Sequence, residues 1–467
     1  MTVDARPLTR TEQIMETIRD RIERRVLTPG AAVPSVRAMA EASGFSKSTV
    51  VEAYDRLVAD GLIRSRPGSG FFVAAPLAPL SLERIGPHKE DREVDSLWML
   101  RRSLAQDGDL SRPGSGWLPD GWLANLQISK ALRAAARQND RAPMKGYSSP
   151  LGLEKLRRII AQRQTDLRIA ATPDQILLTD SSTHSLDLVC RYLLEPGDTV
   201  LVDDPCYFNF LAFLRAHRVN VVGIPMTPTG PDLAAFAQGI SDSRARLYLT
   251  NSAVHNPTGA SLSLATAHRL LKLAAEHDLV IVEDDIFADF EDEPTPRLAA
   301  LDGLDRVIRI GSFSKSVTAT IKCGFICARG EWIEGLTDLR IATGMSGSPL
   351  AAEVVHSVLT DGSYRRHMEG LRTRLARERA HTLSLLREVG MEPWTEPSAG
   401  MFIWAKLPND LDAAALARSA FGQGVVLAPG NVFSTSGLWT DYLRINVAFG
   451  REPRFAALLK DLVGQNA

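Results

Sequence analysis

The sequence has few of the features that mark exported, membrane-spanning or metal-binding proteins. Its 467 residues include only four cysteines, none of them in a C-x-x-C pair: Cys190, Cys206, Cys323 and Cys327. Scattered cysteines argue against a disulfide framework or a metal site and fit a reducing cytoplasm. No apolar run is long enough to span a membrane, and the opening MTVDARPLTRTEQ lacks the layout of a signal peptide. We therefore expect a cytoplasmic protein that has no membrane partner.

The charge balance and the length of the chain set two further limits. A formal net charge of −1 gives the whole molecule no attraction to nucleic acid, so any DNA affinity requires a local basic patch. A chain of 467 residues is too long for one ordinary core, so two or three domains are expected.

The N-terminal part carries the pattern of a helix followed by a helix-turn-helix. Apolar residues recur at helical spacing at Ile14, Ile18, Ile22 and Val26.

Two short helices are predicted next. Ser35 is suited to cap the first, Gly44 to end it in a left-handed conformation, and Ser46 to cap the second. Two short helices joined by a tight turn form a helix-turn-helix. The following LIRSRPGSGFFVA predicts two strands around a turn, which form a hairpin wing.

Several polar residues and glycines of this region are candidates for contacts to DNA. The start of the second helix meets base edges and phosphates in such motifs, arginines hold the duplex backbone, and wing glycines let main-chain N–H groups approach phosphates. The candidates are Ser35, Arg37, Ser46, Lys47, Ser48, Thr49, Arg64, Arg66, Gly68 and Gly70. The alternative is a protein-binding helical hairpin with a solvated basic rim.

Residues 11 to 73 resemble the winged helix of the GntR regulator family. The resemblance rests on PSVRAMA, SKSTVVEAYDRLVADGLI and RPGSGFFV at the spacing usual in that family. It implies a DNA-binding domain at residues 1–75, with a double-stranded DNA operator as its partner. The proline- and charge-rich segment that follows predicts a linker at residues 76–115, in which LWMLRRSLAQ predicts a short helix.

From about residue 120 onward, helical patterns alternate with short β-rich runs. The runs are QILLT, TVLVDDP, RLYLT, VIVEDD and VIRIGS. This alternation predicts an α/β fold, with a mostly parallel sheet covered by helices on both faces. Such sheets bind ligands at the carboxyl ends of their strands, where NSAVHNPTG, EDDIF and GSFSK lie.

Residues at these strand ends have the chemistry to hold pyridoxal 5'-phosphate. Lys315 is the candidate to form a Schiff base with an aldehyde, and Asp284 is the candidate to keep a pyridine nitrogen protonated. Asn256 offers an amide to the phenolic oxygen of the ring. Taken singly, a loop lysine is most often solvated, an aspartate often caps a turn, and N-P-T-G is a common turn sequence.

A second group of residues is suited to hold the phosphate. Ser181, Ser182 and Thr183 open a predicted helix directly after ILLTD, and helix N-termini bind anions. Ser312 and Lys322 would add a hydroxyl and a positive charge.

The order of these motifs from about Gly146 to Phe449 resembles the fold-type I aminotransferases. The matching segments are GYSSPLGLEKLRRIIA, DDPCYF, HNPTG, EDDIF, SFSK and YLRINVAFG. The resemblance implies a large cofactor-binding domain at residues 116–330 and a small C-terminal α+β domain at residues 331–467.

The resemblance also assigns roles to single residues. It implies that Lys315 bears the cofactor as an aldimine, that Asp284 assists it in catalysis, and that Arg444 holds a substrate carboxylate. Tyr207 would stack on the pyridine ring, although alone it could equally be a half-buried core aromatic. Tyr147 would reach the phosphate in the neighbouring subunit, which implies a homodimer.

Two positions depart from the family pattern. Phe287 stands where a tyrosine usually donates to the phenolic oxygen, so Asn256 would make that contact alone. Lys322 stands where arginine is usual, which keeps the charge but loses the two-pronged geometry on phosphate. Both departures favour a domain that binds the cofactor and senses a ligand over one that turns over quickly.

A GntR-type winged helix joined to an aminotransferase-like domain is the layout of the MocR subfamily of regulators. The leading hypothesis is a transcriptional regulator in which an amino acid or amine effector condenses with pyridoxal phosphate and changes how paired winged helices bind DNA. An active aminotransferase with a fused DNA-binding domain is one alternative. A repressor whose C-terminal half serves only for dimerisation is another, and the intact Lys315 and Asp284 argue against it.

Overall fold

The computed structural model describes residues 9–23, 26–27, 30–66, 70–74, 94–104, 110–137 and 147–464. The N-terminal part is helical with a two-stranded hairpin, and the C-terminal part is an α/β body with two sheets. Within these described ranges, no helix is long and apolar enough to cross a membrane.

The N-terminal part has the elements that its sequence predicts. They are α1 (Arg10–Glu23), α2 (Val36–Ser43), α3 (Lys47–Ala59), β1 (Ile63–Arg66) and β2 (Gly70–Val73).

The predicted helix ends are confirmed. Ser35 caps α2 by accepting a hydrogen bond from the Ala38 N–H at 3.2 Å. Ser46 caps α3 by accepting one from the Thr49 N–H at 3.2 Å. Gly44 ends α2 at a φ of 70°, in the left-handed region that glycine adopts without strain. Since β1 and β2 pair antiparallel directly after these helices, the N-terminal part is a winged helix-turn-helix.

The first helix is shorter than its apolar pattern predicts. Helix α1 ends at Glu23, and the main-chain N–H groups of Val26 and Leu27 both donate to the Arg21 carbonyl, at 2.8 and 2.9 Å. Because the chain turns at this point, Leu27 is buried in place of Val26. Leu27 is 7% exposed and Val26 is 47% exposed. The prediction that Val26 shares the buried helical face with Ile22 is therefore wrong.

The helices of the C-terminal part alternate with its strands along the chain. They are α4 (Ser96–Leu104), α5 (Asn125–Arg137), α6 (Glu154–Asp166), α7 (Ser182–Leu193), α8 (Phe208–Ala216), α9 (Leu233–Ser243), α10 (Leu264–Glu276), α11 (Leu298–Asp302), α12 (Gly330–Gly344), α13 (Pro349–Thr360), α14 (Gly362–Glu388), α15 (Ala413–Gly422) and α16 (Pro453–Gly464).

The large sheet confirms the predicted α/β fold. Its strands are β3 (Ile176–Thr179), β4 (Thr199–Asp204), β5 (Asn220–Thr227), β6 (Gly230–Pro231), β7 (Leu247–Thr250), β8 (Val280–Asp284), β9 (Val307–Ser312) and β10 (Gly324–Cys327), in the spatial order β3-β10-β9-β8-β7-β4-β5-β6. Strands β4, β7, β8 and β9 are parallel to one another, and β10 is antiparallel to both of its neighbours. Strands β3, β7 and β9 are buried at every position, which explains why they are mostly apolar.

A second, antiparallel sheet lies near the C-terminus. It contains β11 (Glu392–Pro393), β12 (Phe402–Lys406), β13 (Ala428–Pro429) and β14 (Tyr442–Asn446), in the order β11-β12-β14-β13. Helix α4 packs beside this sheet, because Trp98 and Met99 belong to one buried cluster with Phe208, Trp404 and Phe433. The predicted short helix within residues 76–115 is thus part of a packed core.

Candidate functional site

Polar residues stand at the carboxyl ends of four parallel strands of the large sheet. Asp204 ends β4, Asn251 follows β7, Asp284 ends β8 and Ser312 ends β9. Because β4, β7, β8 and β9 run parallel, these residues lie along one edge. This edge is where α/β sheets bind ligands.

Lys315 lies in the turn after β9 and faces a loop from the start of the C-terminal part. Its Nζ donates to the Gly116 carbonyl at 2.8 Å and lies 4.3 Å from the centre of the Trp117 ring. Burial lowers the pKa of Lys315 to about 7, and the positive charge of Arg444 adds to the effect, while Asp284 opposes it. Lys315 is therefore an amine that is substantially unprotonated near neutral pH.

The lowered pKa predicts that Lys315 reacts with electrophiles at neutral pH. A lysine with a pKa of about 7 is roughly half unprotonated at pH 7, so its acetylation rate in the cofactor-free protein should level off above about pH 8. Competitive labelling with acetic anhydride, read by mass spectrometry of the Lys315 peptide, measures this midpoint. A labelling rate that follows the pH dependence of the exposed lysines would contradict the prediction.

Asp284 is a buried carboxylate that lacks a cationic partner within ion-pair distance among the described residues. It is 6% exposed, and its Oδ1 accepts a hydrogen bond from the Ile286 N–H at 3.2 Å. Its main-chain carbonyl accepts one from the Asn251 amide at 2.8 Å. Burial raises the pKa of Asp284 to about 7, so a positive group brought next to it would be strongly stabilised as the carboxylate ionises.

Arg444 on β14 is a buried cation that faces neutral partners. Its Nη1 donates to Asn256 Oδ1 at 2.9 Å, and its Nη2 donates to the Gly114 carbonyl at 2.7 Å. The guanidinium carbon lies 4.4 Å from the centre of the Phe402 ring, and the residue is 1% exposed. Burial lowers the pKa of Arg444 to about 9. In the part of the chain that the structure describes, no carboxylate pairs with this guanidinium, so it is suited to receive an anion.

Lys315 and Arg444 flank the same short loop. A Cβ placed on Gly116 would lie 3.9 Å from both Lys315 Nζ and Arg444 Nη2. This loop was not predicted to belong to the site, because it lies at the predicted boundary between the linker, residues 76–115, and the cofactor-binding domain, residues 116–330. Contacts that span 199 residues along the chain, as between Gly116 and Lys315, leave no local pattern.

The predicted phosphate residues lie at the N-terminus of α7, at the end of β9 and just before β10. Ser181 caps α7 by accepting from the His184 N–H at 3.1 Å, and Ser182 and Thr183 form its first turn. Ser312 Oγ donates to the Cys323 carbonyl at 3.1 Å, just before β10 begins.

The side chain of Lys322 is exposed. It lies close enough to Asp180, which precedes α7, for its positive charge to lower the pKa of Asp180. The pKa of Asp180 is lowered by its hydrogen bond with His184, and Arg340 and Lys322 add to the effect. Arg340 is 2% exposed and donates to the Pro150 carbonyl at 2.8 Å. Arg340 is thus a second cation beside the predicted phosphate residues. It was not predicted from the sequence, because its position inside α12 belongs to no motif.

Two aromatic residues border the site. Tyr207 is half-buried, with its ring centre 4.9 Å from that of Phe208, and burial raises its pKa. Phe287 is 4% exposed and packs edge-on against Phe402 at 5.5 Å. Tyr147, by contrast, is 80% exposed and makes no hydrogen bond to the other predicted site residues described in the single chain.

The predicted DNA-contacting residues line one end of α3, the start of α2 and the hairpin. Lys47 and Ser48 are exposed, and the Ser46 hydroxyl lies 2.8 Å from both the Ser48 and Thr49 hydroxyls. Ser35, Arg37 and Arg64 are exposed, and Gly70 has a φ of 95°. The side chain of Arg66 and the whole of Gly68 lie outside the described residues.

Comparison with known families covers both parts of the chain. Residues 114–462 match the aminotransferase class I and II family, and residues 10–73 match the gntR family of bacterial regulatory proteins. The HTH-type transcriptional regulator YjiR of Escherichia coli (strain K12) is 29% identical over 466 residues, covering 97% of this chain and 98% of that protein. The HTH-type transcriptional regulator NorG of Staphylococcus aureus (strain USA300) is 25% identical over 426 residues, covering 89% of this chain and 95% of that protein.

Solved structures resemble the C-terminal part. LysN, an α-aminoadipate aminotransferase from Thermus thermophilus complexed with N-(5'-phosphopyridoxyl)-L-leucine, aligns with a TM-score of 0.71 and 25% identity over 80% of this chain and 96% of its own. An archaeal alanine:glyoxylate aminotransferase aligns with a TM-score of 0.73 and 23% identity over 81% of this chain and 95% of its own, which shows the shared fold. The chain therefore belongs to the aminotransferase class I and II family and carries a GntR-type winged helix, which is the MocR-like layout of a transcriptional regulator with an aminotransferase-like domain.

Proposed function

We propose that this regulator depends on pyridoxal 5'-phosphate and that its aminotransferase-like domain senses an amino acid or amine. The observation that carries the proposal is the combination of Lys315, an amine with a pKa of about 7, and Asp284, a buried carboxylate. An unprotonated amine suits the aldehyde of this cofactor, and a carboxylate that awaits a positive partner suits its ring nitrogen. The residues of the site therefore fit the group.

When bound, pyridoxal phosphate supplies an aldehyde that condenses with amines and a protonated ring that withdraws electrons. In the proposal, Lys315 attaches the cofactor, and Asp284 holds the proton on the ring nitrogen. Asn256 donates to the phenolic oxygen through its Nδ2, because its Oδ1 already accepts from Arg444. Phe287 cannot donate there, so Asn256 makes this contact without a second donor from that position.

The phosphate is assigned to the N-terminus of α7. Ser182 and Thr183 supply hydroxyls and main-chain N–H groups in the first turn, where the helix dipole favours a negative charge. Ser312 adds a hydroxyl, and Lys322 adds a positive charge. Tyr207 is assigned to the face of the ring.

Arg444 is assigned to the carboxylate of an amino acid effector. Its guanidinium now donates to neutral oxygens of Asn256 and Gly114, and its buried Nε has no partner among the described residues. A charged carboxylate is a better acceptor than a neutral carbonyl, and its two oxygens suit the forked donor. An amine without a carboxylate would leave Arg444 in its present contacts.

The proposal includes a homodimer that binds a double-stranded DNA operator in the cytoplasm. Tyr147 is 80% exposed on its own chain, so it is available to reach the cofactor phosphate in a partner subunit. Two winged helices would then contact two half-sites. An effector can change this binding only as far as it prefers one state of the protein over the other.

The near-visible absorption spectrum of the purified protein tests the proposal. Adding pyridoxal phosphate should produce a cofactor band, and one amino acid or amine from a panel should shift that band persistently and change the affinity for operator DNA. A protein that takes up no pyridoxal phosphate would refute it.

An active aminotransferase is the second candidate function. It remains a candidate because Lys315, Asp284 and Arg444 are all present, and the same three residues would serve turnover as well as sensing. In that case the shifted band would decay and a keto acid would be released, and the same spectroscopic experiment separates the two functions.

The winged helix gives a prediction of its own for DNA binding. Arg37 is exposed at the start of α2, where it is assigned to the phosphate backbone. Arg37→Ala should weaken binding to all DNA sequences alike and reduce the slope of log affinity against log salt by about 0.9. Fluorescence anisotropy over a salt series measures this slope. Arg158→Ala, which removes an exposed arginine from α6, is the matched control, and equal slopes for the two variants would contradict the assignment.

A further inference from the structure

A cavity of about 170 Å³ lies between α6, the segment after β8, strands β9 and β10, and α14. Ser312, which is assigned to the cofactor phosphate, borders the cavity, but Lys315, Asn256 and Arg444 are not among the residues that line it. Asp285 lines the cavity, and it directly follows Asp284, the last residue of β8, so strand alternation sends the two side chains to opposite faces of the sheet. The cavity is therefore distinct from the position assigned to the effector.

Four buried polar atoms of the residues that line this cavity have no hydrogen-bond partner among the described residues. One of them, Arg372 Nε, lies 3.1 Å from Asp292 Oδ1 in an ion pair. The other three are the Oε1 of Gln164, the Oδ1 of Asp285 and the Nη1 of Arg309. The three residues are only 2%, 5% and 2% exposed, respectively. Buried polar groups are seldom left unpaired, because each one costs about 1–3 kcal/mol. All three belong to residues that line the same cavity, so a polar guest bound there is suited to pair with them.

The contacts that Asp285 does make explain why one of its oxygens is left over. Its Oδ2 accepts from Arg297 Nε at 2.8 Å and from Arg309 Nη2 at 2.8 Å. Burial raises the pKa of Asp285, but Arg297 and Arg309 outweigh this and lower it, so the carboxylate is ionised. The free Oδ1 is thus an anionic acceptor, and the neighbouring Nη1 of Arg309 is a cationic donor.

The charges around the cavity are balanced. Arg163, Arg309 and Arg372 are matched by Asp166, Asp285 and Asp289. A purely anionic or purely cationic guest would therefore meet as much repulsion as attraction, whereas a molecule with both charges would be complemented at each end.

We propose that this cavity binds a small zwitterion with an ammonium and a carboxylate on a short carbon skeleton. The ammonium donates to Asp285 Oδ1 and Gln164 Oε1, and the carboxylate accepts from Arg309 Nη1. The volume is large enough for several waters and hence for a molecule of that size. The apolar walls formed by Ile160, Leu167 and Phe325 suit its methylene or methyl groups. This site requires neither the cofactor nor the function proposed for Lys315.

Isothermal titration calorimetry with sarcosine tests the proposal. Sarcosine has two N–H donors for the two acceptors and one carboxylate, and dimethylammonium and acetate are its matched single-charge controls. Sarcosine should bind at one site per chain, while both controls bind roughly 10-fold more weakly or worse. No saturable binding of sarcosine, or equal binding of acetate, would overturn the proposal.

Two glutamines on α6 locate the site. Gln164→Met keeps the length of the side chain and removes its acceptor, so it should weaken sarcosine binding by roughly 10- to 100-fold. Gln162→Met makes the same change at an exposed position and should leave binding unaltered. Equal affinities of the two variants would place the ligand elsewhere and overturn the proposal. If Gln164→Met does not fold, crystals of the unaltered protein soaked in sarcosine provide the test. Electron density for one zwitterion in the cavity supports the proposal, and ordered waters alone in the cavity refute it.

Discussion

Lys315→Ala is expected to abolish the near-visible cofactor band of the purified protein and every spectral response to amino acids and amines. The reason is that Lys315 is the amine in the site whose pKa is lowered to about 7 by burial. Without it, pyridoxal phosphate can bind only through non-covalent contacts. Absorption spectra recorded after gel filtration, with and without added pyridoxal phosphate, measure the loss.

The control for this prediction is another lysine on the same body. Lys272 lies on α10 with 70% of its side chain exposed, so Lys272→Ala should keep both the band and its response. A Lys315→Ala protein that retains the band would show that another amine carries the cofactor.

The same pair of variants separates the three candidate functions. If DNA binding loses its ligand response in Lys315→Ala, the protein is a sensor. If only the release of keto acid is lost, it is an aminotransferase. If Lys315→Ala changes neither DNA binding, nor its ligand dependence, nor the release of keto acid, the C-terminal part serves for assembly alone.

The winged helix could be predicted in detail because its signals are local. A serine before each helix, a glycine after α2 and a turn between two short strands each determine the backbone within a few residues. The one error, at Val26, arose where the apolar pattern continued past the end of the helix. The end itself is set by two main-chain hydrogen bonds to Arg21, for which the sequence carries no distinct signal.

The strand-end residues of the candidate site could also be predicted from the sequence. Asp284 ends the β-rich run VIVED and Lys315 follows the β-rich run VIRIGS, and parallel strands bring such positions to one edge. The position of the loop of Gly116 and Trp117 in the site could not be predicted from the sequence, because the loop joins the site through contacts between distant parts of the chain. Arg340 was missed for a similar reason, since a buried arginine within a helix looks like any surface arginine until the packing is known.

The two adjacent aspartates at the end of β8 show a second property that could not be predicted from the sequence. EDDIF presents two adjacent aspartates, of which only Asp284 has a role predicted from the sequence. Asp285 lies among Arg297 and Arg309, and its low pKa contrasts with the raised pKa of Asp284. The two neighbours differ because Asp285 forms ion pairs with two arginines, whereas Asp284 has no cation within ion-pair distance among the described residues. Only the three-dimensional structure reveals this difference.

Arg444→Gln is expected to weaken the binding of amino acids while leaving the binding of simple amines unchanged. Glutamine keeps a donor for the Asn256 and Gly114 oxygens but removes the positive charge and the fork. Loss of one partner of a buried, hydrogen-bonded charge pair costs about 2–5 kcal/mol, which corresponds to roughly 30- to 5000-fold in affinity. Spectral titrations of the cofactor-loaded protein with L-alanine and with ethylamine measure the difference, because the two ligands share an amine and differ in the carboxylate.

Ethylamine serves as the internal control for damage to the site. Arg444 is 1% exposed and hydrogen-bonded to Asn256, so its replacement could also disturb the cofactor. Such a disturbance would weaken both ligands alike, whereas loss of carboxylate recognition would weaken L-alanine alone. Unchanged affinity for L-alanine would mean that the carboxylate is held elsewhere. In that case the buried charge of Arg444 would serve to hold Asn256 and the Gly114 loop in place, and the effector would be recognised chiefly through its amine.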